Sequence, residues 1–358
     1  MSPHFPPSRR KLLQGLGLLT GALALPPVLR GLGSQLTPAS SLSPISPLPS
    51  PTPIAAAGLN PHRVVLVKTT DRAAGVREAM ALLQPPSFRD KRVFIKPNYN
   101  TGDPAPAATD PVVLETLVQS VRGAGARQIT VGDRSGMANT RSAMTQMQVF
   151  ALADRYGFDT VVFDDLNRED WQYFDPQGTH WSQGFAIARP VLEAEAIVNA
   201  CCLKTHRFGG HFTLSLKNTV GMVARYVPGD GHDYMGELHR SAHQRLMIAE
   251  VNRAYRPSLV VIDGVDAFVD GGPEQGRRVQ TGVILASTDR IAIDAVGIAI
   301  LRMLGTTPTV ARGSIWAQAQ IRRAADLGLG AIGPEQVEWV TADRAGAQMV
   351  EQIRPFLT

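Results

Sequence analysis

From about His62 onward the chain alternates short apolar runs rich in β-branched residues with longer stretches of helical spacing. This alternation constrains the fold more than any other feature. Residues 64–67, 93–95, 129–132, 160–163, 196–203, 259–262, 279–286 and 337–340 read as strands. Residues 73–83, 112–123, 141–156, 237–254 and 289–304 read as helices, the second introduced by Asp110-Pro111 as cap and first turn. Strands alternating with helices in this way predict an α/β fold, a mostly parallel or mixed sheet flanked by helices.

The first 60 residues are different in kind. Ser8-Arg9-Arg10-Lys11-Leu12-Leu13 precedes a glycine- and leucine-rich run, the pattern of a twin-arginine export signal, over residues 1–35. The run is shorter and richer in glycine than a stable membrane span of ~20 apolar residues, and a short tether is the alternative if the signal is not cleaved. Residues 36–61 form a Pro/Ser-rich linker, and 11 of the 26 prolines lie in residues 1–60. The expected organisation is therefore signal, linker and one α/β domain over 62–358. It implies a periplasmic location and contact with the twin-arginine export machinery.

Charge argues against a polyanionic partner. The net charge is +5, but Arg9, Arg10, Lys11 and Arg30 supply four of those charges. The chain after residue 60 carries 32 bases against 31 acids. A body this balanced gives no electrostatic case for nucleic acid.

Five of the expected strands end in polar residues: Lys96 with Asn98, Asp133, Asp164, Lys204 with His206, and Asp263. In a parallel sheet those ends share one rim, where α/β proteins assemble sites from several rigid strands. The stretch from Cys201 to Val223 adds Lys217 and Asn218 among glycines, and cations beside glycines suit an anion. A second glycine-rich turn, Gly271-Gly272-Pro273-Glu274-Gln275-Gly276, offers backbone N–H groups for an anion nest, or is simply a tight surface loop. No G-x-G-x-x-G fingerprint follows a strand and no phosphate loop is present, so neither a standard dinucleotide site nor a P-loop is expected.

Five of the eight histidines fall between His206 and His243. His239 and His243 stand four residues apart on an expected helix, a spacing a metal can bridge, although the intervening Arg-Ser-Ala lacks the metalloprotease glutamate. Hydrogen-bonding histidines are the plainer reading. The two cysteines, Cys201 and Cys202, are adjacent in a strand and point to opposite faces, so they read as small buried side chains. Without a Cys-x-x-Cys motif no iron–sulfur cluster is expected on this chain, and the cofactor stays open, a metal included. Trp171, Tyr173, Phe174 and Trp181 mark an aromatic excursion expected to pack onto the body.

Lys96-Pro97-Asn98, Gly132-Asp133, Lys204-x-His206, Lys217-Asn218 followed by Gly221, and Asp263-Gly264 with the downstream Gly-Gly-Pro-x-x-Gly occur in this order. Together they resemble the bacterial and archaeal family called domain of unknown function 362, over about residues 64–304. Some members of that family carry an added ferredoxin-like module with clustered cysteines, which this chain lacks.

The leading functional reading is an exported enzyme acting on a small phosphate- or carboxylate-bearing substrate. Lys96, Asn98, Lys217, Asn218, Gly271, Gly272 and Gly276 would bind it, Lys204, His206, Asp133 and Asp263 would supply acid–base chemistry, and His239 and His243 are the metal candidates. A non-catalytic binding protein would need the cations but not the carboxylates. A maturation or interaction partner of another exported protein would expose the aromatics of residues 171–181.

Overall fold

The computed structural model describes residues 62–358; the twin-arginine motif and the Pro/Ser-rich linker lie outside the described residues. In chain order the strands are β1 (Arg63–Lys68), β2 (Arg92–Lys96), β3 (Gln128–Asp133), β4 (Asp159–Val162), β5 (Trp171–Phe174), β6 (Phe185–Ala188), β7 (Ala196–His206), β8 (His211–Thr213), β9 (Leu259–Gly271), β10 (Gly276–Ser287) and β11 (Glu338–Thr341). Nine of them form one sheet ordered β11-β1-β10-β9-β7-β2-β3-β4, with β8 added to β7. Strands β9, β7, β2, β3 and β4 run parallel, whereas β10 is antiparallel to both β9 and β1. The expected fold class is the observed one: mostly parallel, mixed, and covered by helices.

Alternation along single strands shows why both faces are covered. Val64 and Leu66 of β1 enter one apolar layer and Val65 and Val67 the other, and β9 and β10 alternate in the same way. One layer is built on the helices Arg72–Leu83 and Pro111–Gly123, and the other on the helix Arg290–Met303, whose residues from Arg290 to Leu301 are all buried. Three aspartates start these helices. Asp71, Asp110 and Asp289 each accept first-turn backbone N–H groups, a contribution of about 1 kcal/mol apiece.

The aromatic excursion is the β5–β6 hairpin. Trp171, Phe174 and Trp181 are buried with Phe94, Phe163 and Phe185 in a third apolar cluster, so the excursion packs onto the body as expected. The exposed aromatic patch that a docking partner would use is not made by these residues.

Four elements differ from expectation. β7 runs through Lys204 to His206, and β9 continues past Asp263 to Gly271, so Lys204 and Asp263 lie inside longer strands while His206 ends its own. β10 pairs the extension of β9, and β8 and β9 pair that of β7. The helix expected over 141–156 is two helices, separated where Gln148 takes a positive φ of 61°. The helix expected over 237–254 is likewise broken. Tyr234–Arg240 stops at Ser241, which is extended (ψ 135°) and whose hydroxyl accepts the His243 N–H; a new helix begins at Gln244. Nothing in residue spacing marks that break, because a serine is tolerated in a helix interior as well as at its end.

Candidate functional site

Parallel β2 and β3 end side by side, and their last residues, Lys96 and Asp133, form an ion pair at 2.6 Å with both side chains essentially out of water. Burial pushes the Lys96 ammonium down and the Asp133 carboxyl up, and each charge counteracts the shift of the other. Asp133 is held further by the backbone N–H groups of Tyr99 and Arg134, both at 2.7 Å. Lys96 also donates to the Pro97 carbonyl at 2.6 Å. A Cβ on Gly221 would stand 2.5 Å from Asp133 Oδ1 and 2.8 Å from Lys96 Nζ, so only glycine lets this segment pass over the pair.

An amide ladder extends from there. Asn98 donates to Asn218 at 2.9 Å, and Asn218 donates to Asn199 at 2.6 Å, all three side chains being buried. Lys204, fully buried, lies against this ladder. Its ammonium donates to Asn98 Oδ1 (2.9 Å), the Ala107 carbonyl and the Pro273 carbonyl (3.2 Å). All three protons of that ammonium have acceptors, so its geometry is that of a clasp joining β7 to two loops.

Lys96, Asn98, Asp133, His206, Lys217, Asn218 and His239 meet at one cleft of about 270 Å³, together with Arg134, Arg225, Asp233 and Met235. Lys217 lies in the short helix Ser215–Asn218, and its ammonium takes no hydrogen bond or ion pair with any described residue. Burial, with Lys204 and Arg134 nearby, lowers its pKa to about 7. His206 is buried, Nδ1 has no partner among the described residues, and burial with the neighbouring cations, Lys217 first, holds the ring well below the usual range, hence neutral. Lys217 and His206 are close neighbours: a Cβ on Gly210 would be 2.6 Å from Lys217 Cε and 3.2 Å from His206 Nδ1. His239 is held neutral as well, chiefly by burial. Its Nδ1–H donates to the Met235 carbonyl at 2.7 Å, which leaves Nε2 as an unprotonated lone pair.

The wall is cationic on balance. Arg134 is buried, and its guanidinium donates to the carbonyls of Val223 (2.9 Å), Ser135 (3.0 Å) and Val220 (3.2 Å) with no carboxylate in direct contact among the described residues. Asp133 is neutralised by Lys96. Asp233 at the mouth caps the helix Tyr234–Arg240 by accepting the Gly236 N–H and faces Arg225 and Arg240.

Several expected site residues stand elsewhere. Asp263, inside β9, accepts from Arg72 at 2.7 Å, and the same guanidinium reaches Asp266 at 3.0 Å; Asp263 does not line the cleft. Gly271 and Gly272 offer no anion nest, because their N–H groups donate to Asp270 Oδ1 (2.6 Å) and the Gln275 carbonyl (2.7 Å). They are glycines for another reason. Both have positive φ, and a Cβ on Gly272 would stand 2.0 Å from the Thr205 carbonyl oxygen, so the hairpin can press against β7 only without a side chain. Gly276 pairs with Gly271 at the base of the same hairpin. His239 and His243 do not share a helical face, since the helix breaks between them. His243 packs its ring against His180 with centroids 4.6 Å apart, and it does not line the cleft. Among the described residues no group of three or more His, Cys, Asp or Glu side chains is arranged to hold a metal ion.

The domain of unknown function model DUF362 matches residues 93–299, more than half of the chain, a span that holds every residue of the cleft. The chain belongs to the DUF362 family. Another relative of this DUF362 protein is a thylakoid-associated protein of Synechocystis. It is 25% identical over 234 residues, which cover 62% of this chain and 66% of that protein's length. Among solved structures, the lactate racemase apoprotein of Thermoanaerobacterium thermosaccharolyticum shares 13% identity over 81% of this chain and 85% of its own, with a TM-score of 0.40. A superposition that loose carries nothing about residues or reaction. Among the described residues no helix is long and apolar enough to cross a membrane.

Sequence reading missed Arg134 and the roles of Gly221 and Asp294. Arg134 follows a strand-end aspartate directly, which was a usable signal. Asp294 was also visible, as a lone acid inside the apolar helix Arg290–Met303. Its carboxylate accepts the backbone N–H groups of Ser215 (2.7 Å) and Leu216 (3.0 Å), and so anchors the start of the short helix that carries Lys217.

Proposed function

We propose that this cleft binds a small anionic molecule and moves a proton on it, with Lys217 as the cation that meets the anion and His206 and His239 as neutral imidazoles able to exchange a proton with it. The observation that carries the reading is the contrast among the three lysines in and against the cleft. Lys96 is paired with Asp133 and Lys204 is enclosed by three acceptors, whereas Lys217 lines the cleft with none among the described residues. An amine whose pKa is about 7 is divided between donor and acceptor forms at neutral pH, the condition for efficient general acid–base catalysis. Lys204 and Asp263 take structural parts in this reading, and Asp133 acts through Lys96.

The test is a thermal-shift titration with sulfate, phosphate and short carboxylates on the native protein and on Lys217→Met. Stabilisation of the native protein by one of these anions, lost in the variant, is expected. An equal response in both would remove Lys217 from the site. Export by the twin-arginine route, from Arg9-Arg10 and the run after it, is proposed alongside.

A further inference from the structure

We propose that Lys217 is a nucleophile that forms an imine with a carbonyl compound bearing an anionic group, such as a short oxo acid or an aldehyde phosphate. This rests on the anion-binding reading of the cleft and names its substrate class. Two independent observations carry it.

The first is how rarely this chain uses lysine. Of its 36 basic residues only six are lysines, and three of these, Lys96, Lys204 and Lys217, stand in or against one cleft. Positive charge elsewhere is supplied almost entirely by arginine. Arginine is never a nucleophile in proteins because its guanidinium keeps its proton, while a lysine among other cations and away from water is released as a free amine.

The second is geometry. The ammonium groups of Lys96 and Lys204 are spent on Asp133, Asn98 and backbone carbonyls, whereas Lys217 Nζ lines the cleft with no partner among the described residues, and burial beside Lys204 and Arg134 favours its neutral amine form. A free amine alone would react with any carbonyl. Arg134, which has no carboxylate in direct contact among the described residues, and the exposed Arg225 favour a substrate that also brings negative charge.

In the step, the Lys217 nitrogen lone pair adds to the carbonyl carbon while the carbonyl π pair moves to oxygen, which takes a proton. The nitrogen gives up a proton, and a carbinolamine results. The carbinolamine hydroxyl then takes a second proton and leaves as water while the nitrogen lone pair forms the C=N bond, the iminium nitrogen gives that proton back, and water adds in reverse on hydrolysis. The reaction needs no oxidant or reductant. Nδ1 of His206, buried beside the Lys217 stem with no partner among the described residues, or Nε2 of His239, takes and returns the protons.

The experiment is reductive trapping. The full-length protein is incubated with glyoxylate, pyruvate or glycolaldehyde phosphate, reduced with borohydride, and mapped by peptide mass spectrometry, with Lys68 and Lys91 as internal controls. The expected result is a reduced adduct concentrated at Lys217, diminished by competing sulfate and absent from that position in Lys217→Arg. The carboxylate and phosphate arms show which anionic group is preferred. Adducts spread evenly over Lys68, Lys91 and Lys217, or none at Lys217, would overturn the proposal. If none forms while sulfate still stabilises the native protein but not Lys217→Met, the imine fails and the anion site stands. If sulfate does nothing either, both fail. Mapping the native protein locates the adduct even if the variant does not fold.

Discussion

Lys96 and Asp133, the last residues of neighbouring parallel strands, form an ion pair 2.6 Å long under the segment that carries Gly221. Removing one member leaves the other charge buried without a counter-ion. Lys96→Met is expected to cost about 3–5 kcal/mol in denaturant unfolding. Adding Asp133→Asn to that variant should recover part of the loss, since the amide is neutral and its oxygen still accepts from Tyr99 or Arg134. A double variant less stable than Lys96→Met would contradict this account.

Gly221→Ala tests the same contact from above. A methyl group 2.5 Å from Asp133 Oδ1 must push the segment or the pair aside. A loss of about 1–3 kcal/mol is expected, as for other overpacked sites. Unchanged stability and anion response would show that the segment yields freely.

The anion response should depend on pH through Lys217. Its folded pKa is near 7, so the cationic form that attracts an anion is complete below about pH 6 and gone above about pH 8. Sulfate keeps its charge over this range, and its binding should weaken as pH rises through 7. Lys217→Met should bind sulfate more weakly at pH 6, by about 1.5–3 kcal/mol for a lost charge-assisted contact. Calorimetric titration at pH 6, 7 and 8 measures both. A pH dependence that survives in Lys217→Met would assign it to another group.

Asp294 gives a stability signature of opposite sense to an ordinary paired carboxylate. Burial pushes its pKa up to about 8, against the two backbone N–H groups that favour the anion. Between the unfolded value near 4 and the folded value near 8 the native state binds more protons than the unfolded one. The contribution of this group is therefore greatest at low pH and falls as pH rises to about 8. Asp294→Asn lacks that proton, so native stability minus variant stability should decline from pH 5 to pH 8 and then level off. A difference that stays flat from pH 5 to pH 8 would mean the folded carboxylate is ionised throughout.

For export, replacing Arg9 and Arg10 with lysines should leave the protein in the cytoplasm, read by fractionation of the native host. Unchanged export would exclude the twin-arginine route.

The sheet was legible in the residues because strand burial is a local property. A run such as Val64–Val67 must be covered on both sides wherever it lies, and Asp71, Asp110 and Asp289 announce their helices within three residues. The pairing of Lys96 with Asp133 could be anticipated in part, since both end expected strands. Which lysine is free could not. Lys204 and Lys217 carry the same side chain thirteen positions apart, and what separates them is whether the loops holding Ala107 and Pro273 close over the ammonium. Asp263 was removed from the cleft by Arg72, 191 residues away in the chain. His239 and His243 were parted by a turn at Ser241 that helical spacing does not record. The sequence by itself determined the alternating elements, their caps and the family. Only the tertiary structure decided partners, burial and protonation, because these depend on groups brought together from distant parts of the chain.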